Sequence, residues 1–244
     1  MKKTTIFLSL SLSILSLMNV FAQTTEEIIQ KHEAAMGGLE KWNNLKSVVT
    51  KSKFSIQGMD VATTTSILTG KAVKAEVEVM GNKIVSGFDG TNGWMIRPAM
   101  MGGTGKAEDM PAEQAEALKA QTNPGSPLMD AKSNGSKIEL DSKEKLDGAD
   151  VFVLTVTNKS GKSSTLYVST STYFVMKTAS KQNFNGQDLD IETMYSNYKS
   201  VDGLFFPFTI EQPNPMAGGT MSVEMTNIEL NPKLELAFFA KSDK

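Results

Sequence analysis

The spacing of apolar residues changes period along the chain. Thr24 or Thr25 can cap a helix in which Ile28, Ile29, His32, Ala35 and Met36 fall on one face, and Gly37-Gly38 stops it. Residues 39–45, carrying Trp42, read as a second short helical piece. From Ser47 onward the period becomes two, as strands with one buried face require. Such runs cover 48–57, 61–68, 71–80, 83–88 and 94–97, then, after a break, 137–146, 151–157, 165–170, 172–183, 187–199, 204–211 and 220–230. No internal repeat or low-complexity linker divides them, so 23–244 reads as a single domain.

Two tight turns set registers. Gly81-Asn82 as a two-residue turn places Val79 opposite Ile84, Val77 opposite Ser86 and Ala75 opposite Phe88. With Trp94 facing Phe88 across the Asp89-Gly90-Thr91-Asn92 turn, Ile96 joins the same apolar face. Lys74, Glu76, Glu78 and Lys83 occupy the other. Asn185-Gly186 is the strongest turn signal in the chain. It pairs Lys181 with Asp190 and Met176 with Tyr195, and gathers Phe174, Met176, Ile191 and Tyr195 on one face. The hairpin around Asp147-Gly148 sorts less cleanly and predicts a bulge. The break at 98–136 carries a helix over 111–121 that offers only Ala112, Ala115 and Leu118 to a core, and a loop or short helix over 124–131. So thin a helix covers a sheet without filling the space beneath it, which points to a cavity.

The first residues set the compartment. Met1-Lys2-Lys3, the apolar run 6–20 and Val20-Phe21-Ala22 form a signal-peptide pattern, with cleavage expected after Ala22 and a periplasmic product. The run is shorter than the ~20 residues that span a bilayer. With no cysteine there is no disulfide framework, no thiolate chemistry and no lipid-anchoring site after the leader. Losing Lys2 and Lys3 takes the formal charge from −2 to −4, with acids and bases intermixed, which gives nucleic acid no basic stripe to bind.

Each chemical signal has a bland competitor. Trp94 lines a cavity mouth or is a core tryptophan wedged against Phe88. Arg97, the only arginine, grips a polar head group or makes a surface ion pair. Met95, Met100, Met101 and Met110 crowd one segment and read as an adaptable lid or as packing; as a copper site they lack histidine or cysteine support. His32, the only histidine, sits on an apolar helix face and reads as structural. Asp188, Asp190 and Glu192 lack a calcium loop and mark a solvated face. Gly102-Gly103-Thr104-Gly105-Lys106 lacks the first glycine and the final hydroxyl of a phosphate loop. No nucleophile is paired with a base, so no enzyme is expected.

Taken in order, Glu26-Glu27-Ile28-Ile29-Gln30-Lys31-His32 through Met36-Gly37-Gly38, the Asp89-Gly90-x-x-Gly93-Trp94-x-x-x-Pro98 turn, and the tail Asn231 through Leu236-Ala237-Phe238-Phe239 resemble the bacterial outer-membrane lipoprotein carrier and sorting proteins (LolA-like). The resemblance implies a mainly β (α+β) fold, a half-open antiparallel barrel of about 11 strands with short helices over its concave face. It implies a carrier that takes acyl chains of a lipoprotein or lipid into an apolar cavity for passage toward the outer membrane, with no cofactor and no metal. Donor and acceptor would be an inner-membrane complex and an outer-membrane receptor, and the carrier a monomer. The family arginine lies before the Asp-Gly turn, where this chain has Lys71 and Lys74, so these and Arg97 are the head-group candidates. Face parity nominates Phe54, Ile56, Val77, Val79, Ile84 and Phe88 for the cavity, with Trp94, Ile96, Met176, Ile191 and Tyr195. Met100, Met101, Met110 and Leu118 would be the lid. A sensor or regulatory module that binds lipid or peptide on the same scaffold is the alternative.

Overall fold

The computed structural model describes residues 23–56, 58–184, 187–213 and 218–242; the expected leader and the Asn185-Gly186 turn lie outside them. Thr24 opens α1 (Thr25–Ala35) with a capping box. Its hydroxyl accepts from the Glu27 amide at 3.2 Å, and the Glu27 carboxylate accepts from the Thr24 amide at 3.1 Å. Gly37 and Gly38 end it at φ +105° and +94°, and a side chain at Gly37 would collide with the Gly203 carbonyl oxygen. Helix α2 (Leu39–Asn43) follows at once.

One antiparallel sheet takes most of what remains. Its strands are β1 (Ser47–Ile56), β2 (Met59–Leu68), β3 (Ala72–Val79), β4 (Asn82–Phe88), β5 (Gly93–Ile96), β6 (Ala107–Asp109), β7 (Lys137–Leu146), β8 (Ala149–Thr157), β9 (Ser163–Ser169), β10 (Val175–Phe184), β11 (Gln187–Val201), β12 (Leu204–Pro213) and β13 (Thr220–Leu230). In space they run β6-β5-β4-β3-β2-β1-β13-β12-β11-β10-β9-β8-β7. Two meanders are thus joined where β1 pairs with β13, leaving an open 13-stranded sheet with β6 and β7 at its edges. Register shifts at Lys51/Ser52, Leu140/Ser142 and Val175/Lys177 add local bends, and the one in the Asp147-Gly148 hairpin is the bulge predicted there. Short β6 has too few residues to show a period. The chain crosses from edge to edge between β6 and β7, and that crossing carries α3 (Ala112–Ala120) and α4 (Pro127–Ser133) over the inner face.

The core is built where helices meet that face. Ile28 and Ile29 of α1 and Leu128 of α4 pack on Phe152, Leu154, Leu166, Val168 and Val175. Met36, Trp42, Val48, Met129, Leu204, Phe206 and Ile228 form a second cluster around α2. Ile67, Val73 and Phe88 form a third, against Leu118 of α3. Each such fully buried side chain contributes about 1.5–3 kcal/mol.

Two register expectations need correction. The β3–β4 turn is Met80-Gly81, both at positive φ, so Val77 pairs with Ile84 and Val79 with Asn82. That shift is even and leaves every side chain on its predicted face. The β4–β5 pairing is offset by one residue: Phe88 faces Gly93, and Trp94 faces Gly87. Trp94 and Ile96 therefore lie on the outer face, opposite to the expectation. Two glycines favour this choice. Bare Gly87 leaves room for the indole, only 2.5 Å from where a Cβ would stand, and bare Gly93 admits Ala115 of α3. The buried Trp94 Nε1 donates to the Phe239 carbonyl at 2.9 Å, clamping the C-terminal 3-10 turn Leu236–Phe239 to the outer face.

Candidate functional site

Between the sheet and the edge-to-edge crossing lies a pocket of about 340 Å³. Its floor comes from the two joined meanders: Val48 and Thr50 of β1, Thr65 and Ile67 of β2, Ile210 of β12, and Met225 and Ile228 of β13. Tyr195 and Tyr198 of β11 with Phe205, Phe206 and Pro207 make one wall. Met36 and Trp42 form the end, and Pro124, Gly125, Ser126, Pro127 and Asp130 form the roof. The surface is mostly carbon, as suits a hydrocarbon guest.

Aromatic packing and hydrogen bonds hold the wall rigid. Trp42 lies 5.0 Å from Phe206 between ring centroids and donates Nε1–H to the Met36 carbonyl at 3.0 Å. Tyr198 stacks on Phe174 at 4.3 Å and donates its hydroxyl to the Val175 carbonyl at 2.7 Å; burial raises its pKa.

The roof is tied down by His32. Because a carbonyl only accepts, Nδ1–H must donate to the Tyr173 oxygen, 2.6 Å away. Burial holds the imidazole pKa below its usual value, so Nε2 is left to accept the Ser126 hydroxyl at 2.5 Å. Ser126 Oγ in turn accepts the Met129 amide at 3.3 Å and caps α4. The sequence expectation of a structural histidine fits this chain of bonds.

Asp130 is the one charged residue in the lining. Burial pushes its carboxyl up from 3.8 to about 7. It also lines a second pocket of about 230 Å³, with which the first shares Trp42, Pro124 and Gly125.

Of the predicted cavity residues, Tyr195 lines the larger pocket. Val77, Val79, Ile84 and Phe88 share its inner face and extend the wall toward β4 without lining it. Phe54, paired with Val61 and Val223, and Ile191, paired with Ser180, are also on that face and outside the lining. Met176 sits half-buried at the β9–β10 register shift. The side chain of Ile56 lies outside the described residues.

The lid candidates separate. Met100 and Met101 form an exposed 3-10 turn beside the β6 edge, and Met110 packs against Gly93. Leu118 roofs the Ile67–Val73–Phe88 cluster. None of the four lines the pocket, which residues 124–130 cover instead. Arg97 lies 3.9 Å from Glu108 at the surface. Lys74 is on the outer face, 3.7 Å from Glu76 and over the Phe238 ring, while Lys71 is exposed between β2 and β3. Among the described residues, no cation enters the lining of either pocket. Asp130 escaped sequence reading, although an acid between Leu128-Met129 and Ala131 was the available signal.

No family model matches the sequence, and no curated protein matches it. Solved structures do match. A LolA superfamily protein from Nitrosomonas europaea aligns at TM-score 0.60 and 14% identity, over 90% of this chain and 99% of that one. A DUF1329 family protein from Desulfovibrio piger gives 0.57 and 12%, over 90% and 98%. A putative outer membrane lipoprotein-sorting protein domain from Vibrio parahaemolyticus gives 0.56 and 18%, over 88% and 95%. The chain has the LolA-like fold over nearly all its described length.

Proposed function

We propose that this protein is a periplasmic carrier that shelters an acyl chain of a lipid or lipoprotein in the larger pocket on its way toward the outer membrane. It performs no chemistry of its own. The observation that carries this reading is a mostly apolar pocket of about 340 Å³ under the crossing segment of a LolA-like sheet. A methylene fills about as much room as the ~30 Å³ share of a water molecule, so roughly eleven fit. At about 0.8 kcal/mol each they contribute ~9 kcal/mol before the freedom lost on binding is subtracted. The net is firm enough to hold a chain in water and weak enough to release it to a membrane.

Calorimetric titration with monomyristoylglycerol tests this. Saturable one-to-one binding is expected. Ile210→Trp, which fills the floor, should weaken it roughly 10-fold or more. Lys181→Ala, on the outer face, should leave it unchanged. Absence of binding by the wild type, or equal affinities for both variants, would remove the carrier reading.

A further inference from the structure

The second pocket differs in chemistry from the first. Its lining includes Asn43, Thr69, Asn123 and Ser133, together with the shared Asp130. The Thr69 hydroxyl oxygen is buried and, like that of Thr63 on the sheet, has no hydrogen-bond partner among the described residues, which leaves it free to meet a ligand in this pocket. Gly125 forms part of the shared wall, and a Cβ there would approach Asp130 Oδ1 to 3.3 Å, so the carboxyl stands close to bare backbone between the two spaces. At about 230 Å³ the smaller pocket holds roughly seven non-hydrogen atoms, the size of a glycerol ester head.

Resting on the carrier reading, we propose that the two pockets share one ligand, an amphiphile whose acyl chain fills the larger and whose uncharged, hydroxyl- or amide-bearing head fills the smaller. There the head donates a hydrogen bond to Asp130 and meets the Thr69 hydroxyl. Anionic heads are disfavoured because, among the described residues, the lining offers one carboxyl and no cation to offset them.

Several charges on the elements packed against α4 are held in ion pairs. Lys132 of α4 is bound to Glu33 and Glu26 of α1; on β7 Lys137 pairs with Glu139; Lys177 of β10 pairs with Glu192. Tyr195 faces Asp130 from β11; burial raises its pKa, the hydrogen bond with Thr178 opposes that, and the Asp130 carboxyl adds a smaller upward push. Burial puts the Asp130 carboxyl at about 7, so the discrimination is measured above neutrality, where the carboxylate predominates.

The test is calorimetry at about pH 8.5 with two lipids of one chain length, monomyristoylglycerol and myristoyl lysophosphatidylglycerol. The wild type should prefer the uncharged lipid by roughly 10-fold or more, and Asp130→Asn should narrow the ratio to about 3-fold by improving the anionic lipid. Thr69→Val keeps the shape and removes the orphan hydroxyl. It should weaken monomyristoylglycerol about 3-fold or more while leaving the unliganded protein as stable or more so. Equal affinities in the wild type, or a ratio untouched by Asp130→Asn, would overturn this assignment and leave the carrier intact. No binding of either lipid would overturn both.

Discussion

Replacing Asp130 by asparagine should abolish a pH dependence of stability that the cavity imposes on the fold. The folded chain keeps the Asp130 proton up to about pH 7 because burial disfavours the carboxylate, whereas the unfolded chain releases it near 3.8. The contribution of Asp130 to stability is therefore greatest below that window and is lost as pH rises through it. Between about pH 5 and pH 9 the linkage comes to roughly 3 kcal/mol at 1.36 kcal/mol per decade, and residual contact with water lowers it to about 2. Asparagine keeps the shape, and the backbone bonds from Asp130 N–H to the Ser126 carbonyl at 2.9 Å and from the Ser133 hydroxyl to the Asp130 carbonyl at 3.0 Å remain. Urea unfolding of both proteins across that range should show the variant gaining about 2–3 kcal/mol on the wild type as pH rises. In a thermal scan that is roughly 4–12 °C. Parallel curves, with a constant difference, would refute a carboxyl buried between the pockets.

Two further substitutions separate structure from binding. Trp94→Ala should cost about 3–5 kcal/mol in chemical denaturation by emptying the space over Gly87 and freeing the C-terminal turn. Titration under folding conditions should find lipid affinity unchanged; a large loss there would put the indole back in the cavity. His32→Leu strips partners from the Tyr173 carbonyl and the Ser126 hydroxyl and should cost about 2–4 kcal/mol near pH 8. The deficit should shrink as pH falls below about 6.5, where the unfolded wild type gains a proton that its buried imidazole resists. A deficit that grows with acidity would mean a charged His32.

What local sequence could reveal follows from how far each feature reaches along the chain. The Asn185-Gly186 signal in the sequence predicts Lys181 opposite Asp190, and that pairing is present. The helix opening at Thr24 is equally local. The face of Trp94 was not legible, because it depends on whether Phe88 pairs with Gly93 or with its neighbour. That choice is settled by Asp89 accepting from the Thr91 and Asn92 amides, by the space at Gly87, and by Phe239 at the far end of the chain. The pocket floor was hidden for a similar reason. Val48 and Thr50 meet Ile210, Met225 and Ile228 only because β1 pairs with β13, a contact between chain ends that no spacing rule announces. Residues 124–130 carry too little periodicity to show that they roof the cavity.

The space between the sheet and its crossing segment is bounded mostly by apolar side chains, the surface a hydrocarbon guest requires. Native mass spectrometry of the protein released gently from the cells that make it would reveal such a guest. The expected result is a mass above that of the polypeptide alone, shed on collisional activation as an acylated molecule and missing from Ile210→Trp. Only the bare mass for the wild type, even after incubation with excess monomyristoylglycerol, would contradict it.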